Sequence, residues 1–429
     1  MTFASPFPVG FSNRNGKLYC EDIPLDDLAR RYGTPLYVYS RSAIEETIAD
    51  YQQELKGTDH RVFFAMKANS NLGILDLMNR KGCGFDIVSG GELARALAVG
   101  ADPKKIVYSG VGKTVREMRE ALQAGILCFN LESIPELDRL QEVAADMGVV
   151  ANVSVRINPN VDAKTHPYIS TGLKNNKFGV AYESSVELYK KAASLPNIRV
   201  TGIDCHIGSQ ITELSPFLDA GHKVLDLVDA LKAEGIEIDH IDFGGGLGVR
   251  YIDETPPAAS ELVKALTTLC EERGYGHLTL YFEPGRSLIA RSAVLLMTVQ
   301  YLKPTESKNF CIVDTGMNDM MRPALYEAEM PIVETVENDE PAKRWDIVGP
   351  ICESGDWLDK NRRLKVRAGD VLAMFSAGAY GMSMASNYNS RPNAMEIMVS
   401  GEEVQVIRER GTYADLMRNE RLLKQVKRD

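Results

Sequence analysis

Short segments rich in β-forming residues alternate with longer amphipathic segments from about residue 60 to about residue 290. We predict strands for the short segments, because strands buried on both faces read as brief apolar runs. The longer segments, such as 91–99, 114–124 and 216–233, have the apolar spacing of helices. Eight strands are predicted in this region, at 62–67, 85–88, 106–109, 128–131, 152–157, 202–207, 240–243 and 279–282.

Eight strand–helix units in about 230 residues are the number and the length of a closed (β/α)8 barrel of the TIM type. An open, doubly wound parallel sheet is the alternative fold, because periodicity alone does not show whether a sheet closes. The count of eight units favours the barrel.

Beyond residue 287 the predicted strands follow one another without long helices between them, at 293–302, 310–314, 344–348, 370–374 and 394–399. Short helices are expected at 316–324 and 412–425. We therefore predict a second, mainly β domain of the sandwich or Greek-key kind. A strand at 36–39 is a candidate to pair with it. The predicted domains are 42–288 for the barrel, and 1–41 together with 289–429 for the β domain.

Composition agrees with a soluble protein of two domains, since 429 residues exceed what one ordinary core supports. A net charge of −10 disfavours nucleic acid and anionic membranes as partners. The N-terminal residues lack the pattern of a signal peptide, and no apolar stretch approaches the ~18 residues of a membrane span. Seven scattered cysteines without a CxxC pair make a disulfide framework or a metal cluster unexpected. A cytoplasmic location is therefore expected.

Reactive groups of a barrel of this type lie at the carboxyl ends of its strands. Lys67 ends the first predicted strand in the run Phe-Phe-Ala-Met-Lys, so its amine is expected at the barrel mouth. A lysine there bonds covalently to carbonyl cofactors if its surroundings lower its pKa from about 10.4. A surface lysine at a strand end is the alternative interpretation.

The sixth predicted strand ends in Cys-His-Ile-Gly-Ser-Gln, which contains His206 and Ser209. A lone histidine in a strand is more often a hydrogen-bonded core residue than a catalyst. Its place at a strand end instead indicates an imidazole that stacks on a flat ring. The hydroxyl of Ser209 is a candidate to bind a phosphate oxygen.

Two further strand ends indicate an anion site. The seventh strand is followed by a glycine-rich loop, 244–248, and the eighth by Glu283-Pro-Gly-Arg286. Glycines let backbone N–H groups approach an anion closely, and strands seven and eight supply the usual phosphate site of such barrels. Gly285 and Arg286 would complete that site, whereas a buried Glu283 needs a cationic or hydrogen-bonding partner. A plain turn and a structural Glu–Arg ion pair are the alternatives.

Together these strand ends offer phosphate contacts, an amine and a carboxylate that a protonated pyridine nitrogen would satisfy. Pyridoxal 5'-phosphate (PLP) is a phosphorylated, aldehyde-bearing aromatic cofactor that uses all of them. The second domain adds Arg322 and Tyr326 on one predicted helical face, the polar loop of Cys352 and Glu353, and Tyr380. For Cys352 alone, a small buried apolar residue is the alternative.

These motifs resemble those of the alanine-racemase-fold, PLP-dependent decarboxylases. The resemblance rests on Phe-Phe-Ala-Met-Lys-Ala-Asn, Cys-His-Ile-Gly-Ser-Gln, Asp-Phe-Gly-Gly-Gly-Leu-Gly, Glu-Pro-Gly-Arg-Ser and Cys-Glu-Ser-Gly-Asp. Within that group the chain is most similar to the diaminopimelate decarboxylase family, through the segments 24–39, 158–179, 317–326 and 380–389. The similarity extends over roughly residues 20–410.

The resemblance implies a role for each candidate residue. Lys67 would hold PLP through its amine, His206 would stack on the ring, and Glu283 would face the pyridine nitrogen. The phosphate would be held by Ser209, Gly245, Gly246, Gly285 and Arg286. Cys352 would return a proton to the α-carbon of the substrate. The distal end of the substrate and its surroundings would be contacted by Arg286, Arg322, Tyr326, Glu353 and Tyr380.

The implied reaction is the decarboxylation of meso-2,6-diaminopimelate to L-lysine and CO2, the last step of lysine biosynthesis. The resemblance also implies a homodimer with active sites at the interface, where the Cys352 loop of one chain enters the site of the other. No metal, nucleic acid or membrane is expected to take part.

Three other functions remain open. A decarboxylase of the same fold could act on ornithine, arginine or carboxynorspermidine. The pair of Arg322 and Glu353 disfavours these substrates, because it suits a distal end that carries both a carboxylate and an ammonium. A non-catalytic PLP-binding homologue is disfavoured by intact Lys67, Glu283 and Cys352. A racemase is disfavoured because racemases of this fold use a weaker partner than glutamate at the ring nitrogen.

Overall fold

The computed structural model describes residues 7–161 and 177–423. These residues form two compact units. The barrel unit comprises the described residues of Arg41–Ser292 together with Gly378–Ser383. The β unit comprises those of Met1–Ser40, Ala293–Ala377 and Met384–Asp429. The predicted domain limits, 42–288 against 1–41 and 289–429, stay a prediction, and they did not anticipate that 378–383 groups with the barrel.

The N-terminal part of the β unit contains four strands and one helix. In chain order these are β1 Phe11–Arg14, β2 Lys17–Cys20, β3 Ile23–Pro24, α1 Leu25–Tyr32 and β4 Leu36–Ser40. The first three strands form a small antiparallel sheet of their own.

The sheet of the barrel unit is parallel at every pairing. Its order is β10-β9-β11-β12-β13-β5-β6-β7-β8, and β8 also pairs with β9, which closes eight strands into a ring with β10 as a short addition. The predicted (β/α)8 barrel is confirmed, and the open sheet is excluded. The strands are β5 Arg61–Ala65, β6 Gly84–Ile87, β7 Ile106–Tyr108, β8 Cys128–Leu131, β9 Ala151–Asn158, β10 Val180–Ala181, β11 Ile198–Cys205, β12 His240–Asp242 and β13 Thr279–Phe282.

Short polar residues cap four helices of the barrel unit and mark where they begin. The side chains of Asn71, Ser89, Thr114 and Ser133 each accept a hydrogen bond from a backbone N–H of the first turn. The helices are α2 Arg41–Gln53, α3 Leu72–Arg80, α4 Gly90–Ala98, α5 Val115–Ala124, α6 Ile134–Met147, α7 Tyr182–Ser194, α8 Ser215–Ala233, α9 Ala259–Glu272 and α10 Arg286–Ile289.

The C-terminal part of the β unit is built around one long strand, β14 Ala293–Pro304. The remaining elements are β15 Asn309–Val313, α11 Arg322–Tyr326, β16 Ile332–Glu334, β17 Lys343–Val348, β18 Trp357–Leu364, β19 Val371–Phe375, β20 Met395–Ser400, β21 Glu403–Arg408 and α12 Tyr413–Met417. Strand β14 pairs antiparallel with β15, β19 and β4, and β4 pairs parallel with β20. The predicted strand at 36–39 therefore pairs with the β domain, as expected.

Apolar side chains from distant parts of the chain fill the core of the β unit. Buried residues of α1, β4, β14, β19 and β20 pack into one cluster, which includes Leu28, Val38, Leu296, Phe375 and Ile397. The N-terminal segment is thereby held to strands more than 250 residues further along the chain.

The β unit also contains elements that the sequence analysis missed or misplaced. Strands β18 and β21 contain several charged residues and therefore lack a continuous apolar run, and β16 is three residues long. The helix predicted at 316–324 is wrong for 316–321, which form a turn, because Pro323 favours a helix start at Arg322. The helix predicted at 412–425 is limited to Tyr413–Met417, and residues 424–425 lie outside the described residues.

Within residues 7–161 and 177–423, no helix has the length and apolar character that crossing a bilayer requires.

Gly202 of β11 has no room for a side chain. A Cβ atom at this position would overlap the imidazole of His240, whose ring stacks on Tyr281 with centroids 4.3 Å apart. We expect Gly202→Ala to lower the free energy of unfolding by about 1–3 kcal/mol, measured by urea denaturation. Gly112→Ala is the matched control, since nothing lies within 4 Å of that position, and it should change the free energy by less than about 1 kcal/mol. Equal effects of the two substitutions would contradict this packing.

Candidate active site

Lys67 lies in the turn after β5, within the 3-10 segment Met66–Ala68. Its side chain is 39% exposed, and its Nζ lies 3.2 Å from Oδ2 of Asp86, a fully buried residue of β6. Burial by itself lowers the pKa of the Lys67 amine, but the attraction of Asp86 and other acidic groups outweighs burial and raises it. The nearest charge to the Lys67 amine is thus a buried carboxylate. A lowering of this pKa by bound PLP and the pocket stays a prediction.

Glu283 follows β13 directly and is buried. Asn130 of β8 donates from Nδ2 to Oε1 of Glu283 at 3.4 Å. Burial, followed by repulsion from the carboxylates of Asp242 and Asp86, raises the pKa of Glu283 well above its ordinary value. The sequence analysis predicted that a buried Glu283 needs a cationic or hydrogen-bonding partner. Repulsion from the neighbouring carboxylates makes such a partner still more favourable.

Three buried aspartates near Glu283 were missed by the sequence analysis. They are Asp86 in β6, Asp204 in β11 and Asp242 in β12. Each is a lone acidic residue in an apolar strand, within one residue of its carboxyl end. That pattern was readable in the sequence, and a buried acid at the catalytic end of a barrel strand is itself a functional signal.

His206 follows β11, and its Nδ1 accepts a hydrogen bond of 3.3 Å from the backbone N–H of Gly245. Burial, and then the positive charges of Arg156 and Lys67, lower the pKa of His206 well below its ordinary value. The imidazole is therefore neutral at neutral pH, with Nε2 protonated because Nδ1 accepts.

The loops after β11, β12 and β13 pack backbone against backbone. A Cβ atom on Gly245 would overlap the carbonyl oxygen of Glu283, and one on Gly246, whose φ is +117°, would lie 2.6 Å from the carbonyl oxygen of Gly208. A Cβ atom on Gly285 would lie 3.0 Å from that of Ala68. These glycines are required by close approach, so the plain-turn interpretation does not account for them.

Arg286 opens α10 and is buried. Its Nε and Nη2 donate to Oγ of Ser209 at 3.2 and 3.1 Å, and its Nη1 donates to the hydroxyl of Tyr251 at 2.7 Å. The predicted alternative of a Glu283–Arg286 ion pair is not found among the described contacts. The sequence analysis missed Tyr251, because the sequence of a loop does not show which residues its side chains contact after folding.

Tyr380 belongs to the barrel unit through the segment Gly378–Ser383. Its backbone N–H donates to the carbonyl oxygen of Ala68 at 2.8 Å, and its ring lies 4.9 Å from the guanidinium carbon of Arg286. The side chain of Asn69 holds the same segment by donating to the carbonyl oxygen of Gly378 at 2.9 Å. Tyr380 thus lies beside the segments that follow β5 and β13, although it is distant from both in sequence.

Nine of the predicted site residues lie together at the carboxyl end of the barrel. They are Lys67, His206, Ser209, Gly245, Gly246, Glu283, Gly285, Arg286 and Tyr380. This end of the barrel combines a primary amine, a neutral imidazole, buried carboxylates and a hydroxyl–guanidinium pair. Such a set suits a ligand with a carbonyl, a flat cationic ring and an anionic group.

The other predicted site residues lie in the β unit. Arg322 opens α11 and is buried, with Nη1 3.6 Å from Sδ of Met330, and Tyr326 ends the same helix. Cys352 is exposed, whereas the other six cysteines are buried, and its backbone N–H donates to Oδ1 of Asn389 at 2.7 Å. Exposure argues against the interpretation of Cys352 as a core residue.

The loop of Cys352 and Glu353 is anchored by Asp356. The carboxylate of Asp356 accepts from the backbone N–H groups of Ile351 and Met317, at 2.7 and 2.6 Å. This contact ties the loop to the turn that precedes α11. Most of the predicted motif 158–179 lies outside the described residues, which end at 161 and resume at 177.

Comparison with known proteins identifies relatives along nearly the whole chain. Residues 41–290 match the family described as "Pyridoxal-dependent decarboxylase, pyridoxal binding domain". The diaminopimelate decarboxylase of Pseudomonas aeruginosa is 55% identical over 416 residues, which are 97% of this chain and 99% of that protein. That of Vibrio cholerae is 53% identical over 95% of this chain and 98% of its own length.

Solved structures agree with these relatives. The diaminopimelate decarboxylase of M. jannaschii in complex with L-lysine is 42% identical with a TM-score of 0.92, over 97% of this chain and 98% of that one. The Helicobacter pylori enzyme complexed with L-lysine is 41% identical with a TM-score of 0.88, over 92% of this chain and 98% of that one. The resemblance predicted from the motifs is confirmed. This chain belongs to the diaminopimelate decarboxylase family of pyridoxal-dependent decarboxylases.

Proposed function

We propose that the carboxyl end of the barrel is the active site at which this chain converts meso-2,6-diaminopimelate to L-lysine and CO2 with PLP as its cofactor. Membership of the diaminopimelate decarboxylase family supports the reaction. The observation that carries the site is the placement of Lys67, Glu283 and Arg286 at one end of one barrel.

The residues of the barrel fit PLP by their chemistry. Buried Glu283, crowded by other carboxylates, is stabilised by a cation, as a protonated pyridine nitrogen would be. Ser209, Arg286 and the glycine backbone form a cradle that admits no side chain, which suits a phosphate. When bound, PLP supplies an electron sink for the charge that loss of CO2 leaves on the substrate.

The residues of this chain hold the cofactor, orient it and supply a proton to the substrate. Lys67 anchors the cofactor through Nζ, and Asp86 keeps that amine directed into the site when it is protonated. Neutral His206 offers a flat face without adding positive charge. The exposed thiol of Cys352 delivers a proton from Sγ to the α-carbon of the substrate.

Charge complementarity supports the choice of substrate. Diaminopimelate differs from lysine by a carboxylate at its distal end, which Arg322 and Arg286 would bind while Tyr326 and Tyr380 pack around it. Glu353 would face the distal ammonium. A purely cationic substrate would instead place its own positive charge beside the buried guanidinium of Arg322, which is unfavourable.

The proposal includes a homodimer in the cytoplasm whose active sites take residues from both chains. In this arrangement the Cys352 loop of one copy completes the site that contains Lys67 of the other. The exposed position of Cys352 supports it, since that thiol is accessible to a second chain. No nucleic acid or membrane partner is proposed.

Removal of the Lys67 amine tests the cofactor anchor. Purified wild-type protein should show the visible absorbance of bound PLP, and borohydride should fix the cofactor on the peptide that contains Lys67. Lys67→Ala should lose this fixation and lower kcat by roughly a thousandfold or more. The exposed Lys104→Ala is the control and should retain both properties. Fixation at another lysine would overturn the assignment.

Mixed dimers test the shared site. Cys352→Ala should lower kcat by roughly 10²–10⁴-fold, because the proton donor is lost. If sites are shared between chains, mixing Lys67→Ala with Cys352→Ala should restore about a quarter of wild-type activity, since half of the dimers then contain one intact site. The two variants refolded separately are the control. Absence of any recovery would argue against a shared site.

A CO2-release assay with several amino acids tests the substrate. We expect kcat/KM for meso-diaminopimelate to exceed that for ornithine, arginine and lysine by roughly 10²-fold or more, because each lacks the distal carboxylate. Arg322→Met should reduce this preference while changing the rate with lysine little. Faster turnover of ornithine would favour the alternative decarboxylase, although the barrel site would stand.

A further inference from the structure

Three buried carboxyl groups form a compact cluster behind the barrel mouth, which we call the acidic trio: Asp204, Asp242 and Glu283. Asp204 and Asp242 are directly opposite each other on the neighbouring strands β11 and β12, and Glu283 follows β13 beside them. One oxygen of each lies within 4.8 Å of the others, and the three residues are 1%, 1% and 6% exposed.

The acidic trio lacks positive charge of its own. In the described part of the chain, the cations whose charges act on the trio are Lys67 and Arg156. Both are directed at other carboxylates, Lys67 at Asp86 at 3.2 Å and Arg156 at Glu132 at 3.1 Å. Three negative charges so close together in a buried site repel one another strongly. Full ionisation of the trio is therefore unfavourable.

Two oxygens of the trio need a donor. Oδ1 of Asp204 and Oδ2 of Asp242 are buried and accept no hydrogen bond from any residue in the described part of the chain. Oδ1 of Asp242, in contrast, accepts from the backbone N–H of Gly244 at 2.8 Å. The side chains of Asp242 and Glu283 are close enough for a hydrogen bond once one of them is protonated. A proton retained within the trio supplies the donor that the surrounding residues do not.

We propose that Asp204 and Asp242 are positioning residues that share one proton between their facing carboxyl groups, so that Glu283 is free of that proton and presents a negative charge to a cation at the barrel mouth. The proton leaves an Oε of Glu283 and is held on an Oδ of Asp242, so its transfer changes no net charge. The identification of the cation as the ring nitrogen of PLP rests on the proposed function. The inference that the trio shares a proton is independent of that function.

The surrounding groups determine the pH at which the trio loses its proton. Burial raises the pKa of Asp242 to about 7, although the hydrogen bond from Gly244 lowers it. The charged groups that face the trio are Lys67, Asp86, Glu132 and Arg156. The thiols and phenols nearby have pKa values raised by burial and remain neutral in this range: Cys128, Cys205, Tyr189 and Tyr281.

The pH dependence of stability tests the shared proton. A carboxyl group with a raised pKa stabilises the fold below its unfolded pKa, and this stabilisation is lost as pH rises through the folded value. We expect the thermal midpoint of the full-length chain to fall as pH rises from about 4, the unfolded pKa of an aspartate, through about 7, the folded pKa of Asp242. Asp242→Asn and Asp204→Asn should each remove part of this fall, and the double variant should remove no more than the larger single effect.

Asp319 in the β unit provides the control. It is buried, and burial raises its pKa to about 7, yet no member of the trio is among the charges that shift it. The effect of Asp319→Asn should therefore add to that of Asp242→Asn. Additive effects of Asp204→Asn and Asp242→Asn would overturn the proposal. If Asp204→Asn does not fold, the infrared spectra of wild type and Asp242→Asn at neutral pH test the shared proton instead. The band of a protonated carboxyl group should be present in wild type and lost in Asp242→Asn, and its persistence would overturn the proposal.

PLP binding separates this proposal from the proposed function. Asp242→Asn keeps a hydrogen-bond donor beside Glu283 and should retain PLP within about threefold of wild type, whereas Asp242→Leu should weaken PLP binding by about tenfold or more. Equal losses in both variants would show that Asp242 acts only through packing and would overturn its positioning role. A wild-type chain that binds no PLP would overturn the proposed function. The pH dependence of stability in the single and double variants of Asp204 and Asp242 would still test the shared proton.

Discussion

Closure of the barrel is the constraint on which the rest of the site depends. When eight parallel strands close, their carboxyl ends form one ring, and side chains separated by more than 200 residues in sequence become neighbours. Lys67 after β5 and Glu283 after β13 are adjacent for this reason, since β5 and β13 are the strands that pair at that point of the ring. The same closure concentrates acidic groups inside, so charge balance becomes the dominant energetic problem of the site.

Charge balance gives the buried acids distinct roles. Asp86 faces the Lys67 amine and Glu132 faces Arg156, so these acids have cationic partners. The acidic trio has no ion-pair partner among the described residues, and a retained proton or a cationic ligand would compensate its charge. Either is compatible with the proposed PLP site, because a site that is short of positive charge favours the cationic form of the group that binds there.

Backbone packing supplies the rigidity that such chemistry requires. The loops that contain Gly245, Gly246 and Gly285 approach one another so closely that no side chain fits, and Tyr251 and Ser209 fix the guanidinium of Arg286. A cradle of fixed donors binds an anion without reorganisation. In the β unit, Asp356 similarly fixes the loop of Cys352 through two backbone N–H groups, while the thiol itself stays exposed.

The sequence by itself determined the barrel and the family, because apolar runs mark buried strands and the motifs stand directly after them. It also predicted candidate site residues that the structure brings to one end of the barrel. Lys67, His206, Glu283 and Arg286 were all visible in this way. Only the tertiary structure decided how these groups are paired. The carboxylate beside Lys67, the trio around Glu283 and the grouping of Tyr380 with the barrel depend on contacts between residues distant in sequence. Strand pairing sets those contacts, and local pattern contains no information on which strands become neighbours.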